Sequence, residues 1–187
     1  MRQVDQRQLG RGQYRQGQTS GVRQDPVAVG PVAAEEIAQV IATDDPRRLV
    51  EYADQIGKHL AENKMQTSQI RGIFGAVRRI EMSWPEKAVE QQRHGAMREL
   101  LLLQPKLAYQ SARHKDRTPV IEYLEQVLRV AIDAVDREPA MGDGRQSASA
   151  AQVGSEAEWE RRRARFGRFI DLFEAIIAYH RHHDGKD

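Results

Sequence analysis

Cysteine is absent from the 187 residues. That excludes a disulfide framework, a CxxC metal knuckle and a thiol nucleophile, and it makes a reducing cytoplasm the expected compartment. No stretch approaches the roughly 20 apolar residues that a membrane span requires. The opening run MRQVDQRQLGRGQYRQGQ also lacks the apolar centre of a signal peptide. The expectation is therefore a chain that is neither exported nor membrane-embedded. Strand signals are missing too: from Ala33 onward no segment sustains a two-residue alternation or a β-branched cluster. The common catalytic motifs are absent as well. There is no G-x-x-x-x-G-K-S/T, no H-E-x-x-H and no G-x-S-x-G, and none of the six histidines has a Glu three residues before it, as a di-metal carboxylate bundle would need. No enzyme activity, cofactor or metal is expected.

What is present is helical periodicity. Residues 1–24 hold seven Gln, five Arg and four Gly with almost nothing apolar. Such a composition cannot offset the entropy of ordering, so residues 1–32 read as a disordered tail. A helical-bundle domain is expected over 33–183, with a flexible loop at 140–154 and a short C-terminal tail at 184–187. Within it a short helix spans Glu35 to Ala42. Asp45 and Pro46 then open a second helix with Leu49, Ala53, Ile56 and Leu60 on one stripe. Thr67 or Ser68 caps a third, with Ile70, Phe74, Val77 and Ile80 inward. Ser83 and Glu86 form the capping box of a fourth, beginning at Pro85. Pro105 interrupts the leucine run and restarts a short helix to about Arg113. Thr118 and Pro119 begin a helix striped by Val120, Leu124, Val127, Ala131 and Val135, with a mostly acidic opposite face. Ser155 and Glu158 repeat the capping box before a last helix whose core residues are Trp159, Phe166, Phe169, Ile170, Phe173 and Ile177. The predicted fold is all-α, a compact bundle of about five main helices plus two short pieces.

Net charge is only +2, with 29 Lys+Arg against 27 Asp+Glu, but it is unevenly placed. Residues 61–117 carry 11 basic and 6 acidic groups and so hold an excess of +5. A polyanion partner is sought there. In the stretch TSQIRGIFGAVRRIE, turning Ile70, Phe74 and Val77 inward sets Arg71 and Arg78 above one another at i and i+7, with Gly72 and Gly75 beside them and Arg79 beyond. Each mid-helix glycine costs about 1 kcal/mol relative to Ala, which suggests close approach of another molecule. The next short helix places Lys106, Gln110 and Arg113 on the face opposite Leu107 and Ala108, with Tyr109 at its edge and Lys115 and Arg117 continuing the stripe. Guanidinium groups bind phosphate bidentately and tyrosine stacks on bases. The competing reading is that both are ordinary solvated helix faces.

The denser run Arg161, Arg162, Arg163, Arg165 and Arg168 is interleaved with acids at helical spacing and reads as intrahelical ion pairs. The Tyr179-His180-Arg181-His182-His183-Asp184 cluster holds metal-ligand residue types, yet it reads more simply as basic residues favouring a helix C-terminus. His180 falls in the arc of Phe169 and Phe173 and reads as a packed, hydrogen-bonded core histidine.

Three blocks in order, Thr67-Ser68-Gln69-Ile70-Arg71, then Leu101-Leu102-Leu103-Gln104-Pro105-Lys106-Leu107-Ala108-Tyr109 leading to Arg113, then the run from Phe169 to His180, resemble the small subunit of type III-A CRISPR interference (Csm) complexes. The resemblance implies a non-catalytic helical subunit present in several copies. These would stack as a filament beside the backbone subunits, with the large subunit as a further partner, along the groove where guide RNA pairs with target RNA. It puts Arg71, Lys106 and Arg113 at the RNA-facing surface. Arg78, Arg79 and Lys115 join them by helix geometry. The alternative is a helical protein–protein adaptor with no nucleic-acid role.

Overall fold

Apolar residues at three- and four-residue intervals turn each of these segments into a helix, because only that period lines them along one face. The computed structural model describes residues 30–85, 89–113, 119–137 and 156–183, with the backbone alone at 110–113. In chain order they form α1 (Ala34–Ala42), α2 (Pro46–Glu62), α3 (Thr67–Ser83), α4 (Glu90–Leu101), α5 (Leu103–Arg113), α6 (Pro119–Asp136) and α7 (Glu156–His182), with no strand among the described residues. The all-α bundle expected from the sequence is the architecture observed, with α1 and α5 as its short pieces. The expected tail up to residue 29, the loop at 140–154 and the tail at 184–187 lie outside the described residues.

Helix α7, the longest at 27 residues, packs against α1, α2, α3 and α6. Its Phe169, Phe173 and Ile176 have no exposed surface, and neither do Ile56 and Leu60 of α2, Ile70 of α3 or Leu124 of α6. Ile176 takes the fully buried place expected of Ile177, which is only partly covered. The α2–α7 contact is the most extensive in the fold. Gly57 explains why it can be so close: a Cβ there would lie 2.8 Å from the His180 backbone nitrogen, 2.8 Å from Tyr179 Cβ and 3.0 Å from the Ile176 carbonyl. Past α2 the chain reverses through Lys64, whose φ of 61° lies in the left-handed region. The carbonyl of Met65 then sits 2.9 Å from His180 Nε2. His180 is completely buried, so the packed core histidine expected from the sequence is what forms.

A second tie holds the start of the described chain. Tyr123 of α6 accepts a hydrogen bond from the Val32 N–H at 3.2 Å and its hydroxyl lies 3.4 Å from the Val32 carbonyl. Burial pushes its phenol up to about 12. Gly30 lies so close on that ring that a Cβ would collide with it, and Val32 is buried although it stands at the end of the expected tail.

The helix starts obey capping chemistry, though not always at the residues expected. Asp45 does cap α2, accepting the Arg48 N–H at 3.1 Å with Pro46 in the first turn. At α3, by contrast, Thr67 is buried inside the first turn and Gln66 occupies the cap, donating its N–H to Gln69 Oε1 at 3.2 Å. Ser83 does not open α4. Pro85 forbids helical backbone at Trp84, whose ψ is 116°, so α3 ends at Ser83. The Ser83 hydroxyl then lies 2.9 Å from the Ile80 carbonyl and 3.2 Å from Glu99 Oε2, its one proton shared between the two acceptors. Helix α4 begins only at Glu90, after Val89 donates its N–H to Gln92 at 3.3 Å. Glu86 and Ser155, the partners in the two expected capping boxes, lie outside the described residues. Pro105 stands in the first turn of α5, where its missing N–H is not needed. Trp84 stacks on Phe166 at 3.9 Å and on Trp159 at 5.3 Å, fastening the end of α3 to the start of α7.

Gly57→Ala forces α2 and α7 apart. Overpacking costs about 1–3 kcal/mol and improved helix propensity returns about 1, for a net loss of up to about 2 kcal/mol read as a lowered urea midpoint. His180 is held below the usual histidine range by burial, only partly opposed by its bond to the Met65 carbonyl, and its Nδ1 has no partner. Below the unfolded value of about 6.5 the unfolded chain takes up a proton that the folded chain refuses, so stability is present above that pH and is lost as pH falls through it. The urea midpoint of the native chain is expected to fall between about pH 7 and pH 5.5 more steeply than that of His180→Gln.

Candidate nucleic-acid interface

Burial of Ile70, Val77 and Ile80, with Phe74 partly covered, orients α3 so that Arg71, Gly72, Arg78 and Arg79 face solvent. Helix α3 packs on α4, α5 and α7. Helix α5 turns Leu103 and Leu107 inward, which leaves Lys106 exposed and Tyr109 68% exposed. Ala108 is exposed too, rather than sharing the inner face with Leu107. The basic faces read from the sequence thus lie on two helices in contact with each other. The side chain of Arg113 and the whole of Lys115 lie outside the described residues.

The cations on this surface are not equivalent. Arg71, Arg79 and Lys106 form no ion pair among the described residues. Arg78 is engaged twice, its Nη1 lying 2.6 Å from Glu81 Oε2 and 3.1 Å from Glu174 Oε1, with its guanidinium carbon 5.9 Å from the centre of the Phe74 ring. Glu81, three residues away on the same helix, was open to sequence reading; Glu174, nearly a hundred residues on, was not. The glycines serve no packing within the described residues. A Cβ on Gly72 would meet nothing within 4 Å, and one on Gly75 only Arg79 Nη1 at 3.9 Å. The bare backbone is therefore presented outward.

Four of the five arginines in the α7 run are committed elsewhere; Arg161 is exposed and forms no ion pair among the described residues. Arg162 pairs with Glu158 at 2.8 Å and Asp136 at 3.5 Å, and Arg163 with Glu160 at 4.0 Å, so intrahelical pairing is found for these two. It is not what Arg165 and Arg168 do. Arg165 is buried and donates to the Arg137 carbonyl, and burial together with the neighbouring Arg168, Arg161 and Arg162 pulls it below the usual arginine range. Arg168 donates to the Ile41 and Ala42 carbonyls at 2.8 and 3.3 Å, satisfying the last turn of α1. The reason is helix direction: α1 and α6 both end against α7, and the unpaired carbonyls of their last turns accept from its guanidinium groups.

At the other end of α7, His183 Nε2 lies 2.6 Å from Asp54 Oδ1, while His180 faces the core. No group of three or more His, Asp or Glu among the described residues is placed to hold a metal ion. No helix among them is long and apolar enough to cross a membrane.

The exposed cations can hold phosphate by bidentate and point-charge contacts, and Tyr109 offers an exposed ring on α5. A family model, Csm2 Type III-A, matches residues 43–186, from the turn before α2 to beyond α7. No curated protein and no solved structure matches the chain. The match takes in the whole of the arginine-bearing surface and the helices that carry it, and on that coverage the chain belongs to the Csm2 Type III-A family, the small subunit of type III-A CRISPR (Csm) complexes.

Proposed function

We propose that this subunit holds the backbone of the guide and target RNA within its complex through the exposed faces of α3 and α5, and that it does so without catalysing a reaction. The observation that carries this reading is the pair of exposed arginines, Arg71 and Arg79, that lack carboxylate partners among the described residues beside the bare backbone of Gly72. Lys106 and Tyr109 extend the surface on α5. Arg113 and Lys115 belong to the same proposal, the first by family resemblance and the second by helix geometry. Guide pairing would read sequence while the protein reads phosphate and shape. A single copy neutralises few charges, so the free subunit would bind RNA weakly and with a salt dependence set by those few contacts. Several copies stacked as a filament beside the backbone and large subunits, in the cytoplasm, would raise the effective affinity by avidity.

The test is a salt series on the assembled complex with labelled target RNA. Reversing Arg71 and Lys106 together to Glu is expected to weaken retention and to flatten the slope of log affinity against log salt by about 1.5, at roughly 0.7–0.9 per lost phosphate contact. The fold of the subunit should be unaffected, because both side chains are exposed. An unchanged slope would remove these two residues from the interface. Gly72→Ala should raise the stability of the free subunit by up to about 1 kcal/mol through helix propensity. If RNA approaches the backbone there, the same change should weaken retention; gain of stability without loss of binding would mean that the RNA passes at a distance.

A further inference from the structure

Arg78 sits between Arg71 and Arg79 on α3, yet its surroundings are acidic. One guanidinium between Glu81 and Glu174 leaves a local charge of about −1 at the centre of a strip that is otherwise positive. Both carboxylates converge on the same nitrogen, Nη1. Nε and Nη2 make no hydrogen bond among the described residues. That free edge is the one through which a guanidinium takes a phosphate bidentately. The three side chains are 46%, 34% and 49% exposed, so water and salt screen the pairs and opening them is easy. The guanidinium carbon lies 5.9 Å from the centre of the Phe74 ring, so a phosphate can reach that edge without travel of the arginine, and what opposes it is the charge of the two glutamates.

We propose that Glu81 and Glu174 gate Arg78, cancelling its charge from the Nη1 side and swinging away when an RNA phosphate seats on its open Nε–Nη2 edge, so that Arg78 is a latent contact and not a permanent brace between α3 and α7. The inference rests on the RNA-binding reading above. It assigns to Glu174, on a different helix from the basic strip, control over how many phosphates that strip takes. Because the carboxylates repel a phosphate that approaches loosely and yield only to one seated bidentately, the gate selects against diffuse, sliding association.

The experiment is a double-mutant cycle on the full chain, read by fluorescence anisotropy with a labelled oligouridylate across a salt series. Glu81→Gln with Glu174→Gln should tighten binding and steepen the salt slope by about 0.7, the increment for one further phosphate on a single strand. The same pair in an Arg78→Gln background should give no added steepening. Equal gains in both backgrounds would overturn the gate and reduce the glutamates to diffuse negative charge. Melting temperatures of the glutamine variants should stay within about 3 °C of the native chain, as for exposed ion pairs; a larger fall would overturn the proposal in favour of a structural brace. Absence of RNA binding by every chain, the native one included and at low salt, would instead overturn the RNA-binding reading itself.

Discussion

Helix α7 runs 27 residues through the fold and touches four other helices, and it can do so because α2 meets it with no side chain intervening at Gly57. Close packing of two backbones at that point draws the α2 stripe of Ile56 and Leu60 onto the aromatic face of α7, and the remaining helices fill in around that seam. The reversal at Lys64 and the bond from His180 to the Met65 carbonyl close the same end of the seam, so that α3 leaves it in a fixed direction. The outward aim of Arg71 and Arg79 is a consequence: it is fixed by how Ile70, Val77 and Ile80 insert, and they insert where the α2–α7 pair leaves room.

Charge is partitioned by the same geometry. The chain contains nearly balanced acids and bases, and its densest basic run lies on α7. All of those arginines but Arg161 are drawn to helix-end carbonyls or to nearby acids, because α1 and α6 both finish against α7. The sparser arginines of α3 face no helix terminus, and apart from Arg78 they meet no carboxylate among the described residues. Density of charge along the sequence is thus a poor guide to where charge is available, and freedom from internal partners is a better one.

Much of the fold could be read from the sequence, because the periodic stripes of α2, α3, α6 and α7 are long and a three-to-four-residue rhythm admits one secondary structure. The errors lie where two local signals compete. Ser83 and Glu86 have the spacing of a capping box, but Pro85 acts on Trp84 first and ends α3 there. Thr67 is a better capping residue than Gln66 in isolation, yet it is buried in the bundle, and tertiary packing decides. At the candidate interface the exposed positions of Arg71, Arg79 and Lys106 follow from helix geometry alone. The engagement of Arg78 by Glu174, the carbonyl caps of Arg165 and Arg168 and the close approach at Gly57 all involve residues far apart in the chain, and no local spacing encodes them.

Both tryptophans of the chain lie in one stack, Trp84 against Trp159 with their rings 10° from parallel. The tryptophan fluorescence of this subunit, excited where tyrosine does not absorb, therefore comes from a single place, the join between the end of α3 and the start of α7, and near-ultraviolet circular dichroism there carries the coupled signal of two indoles. Emission will follow the seating of α3 on α7 and will be nearly blind to α1 and to the Tyr123 tie at the chain's entry. Movement at the helix that bears the basic strip can thus be followed optically without attaching a label.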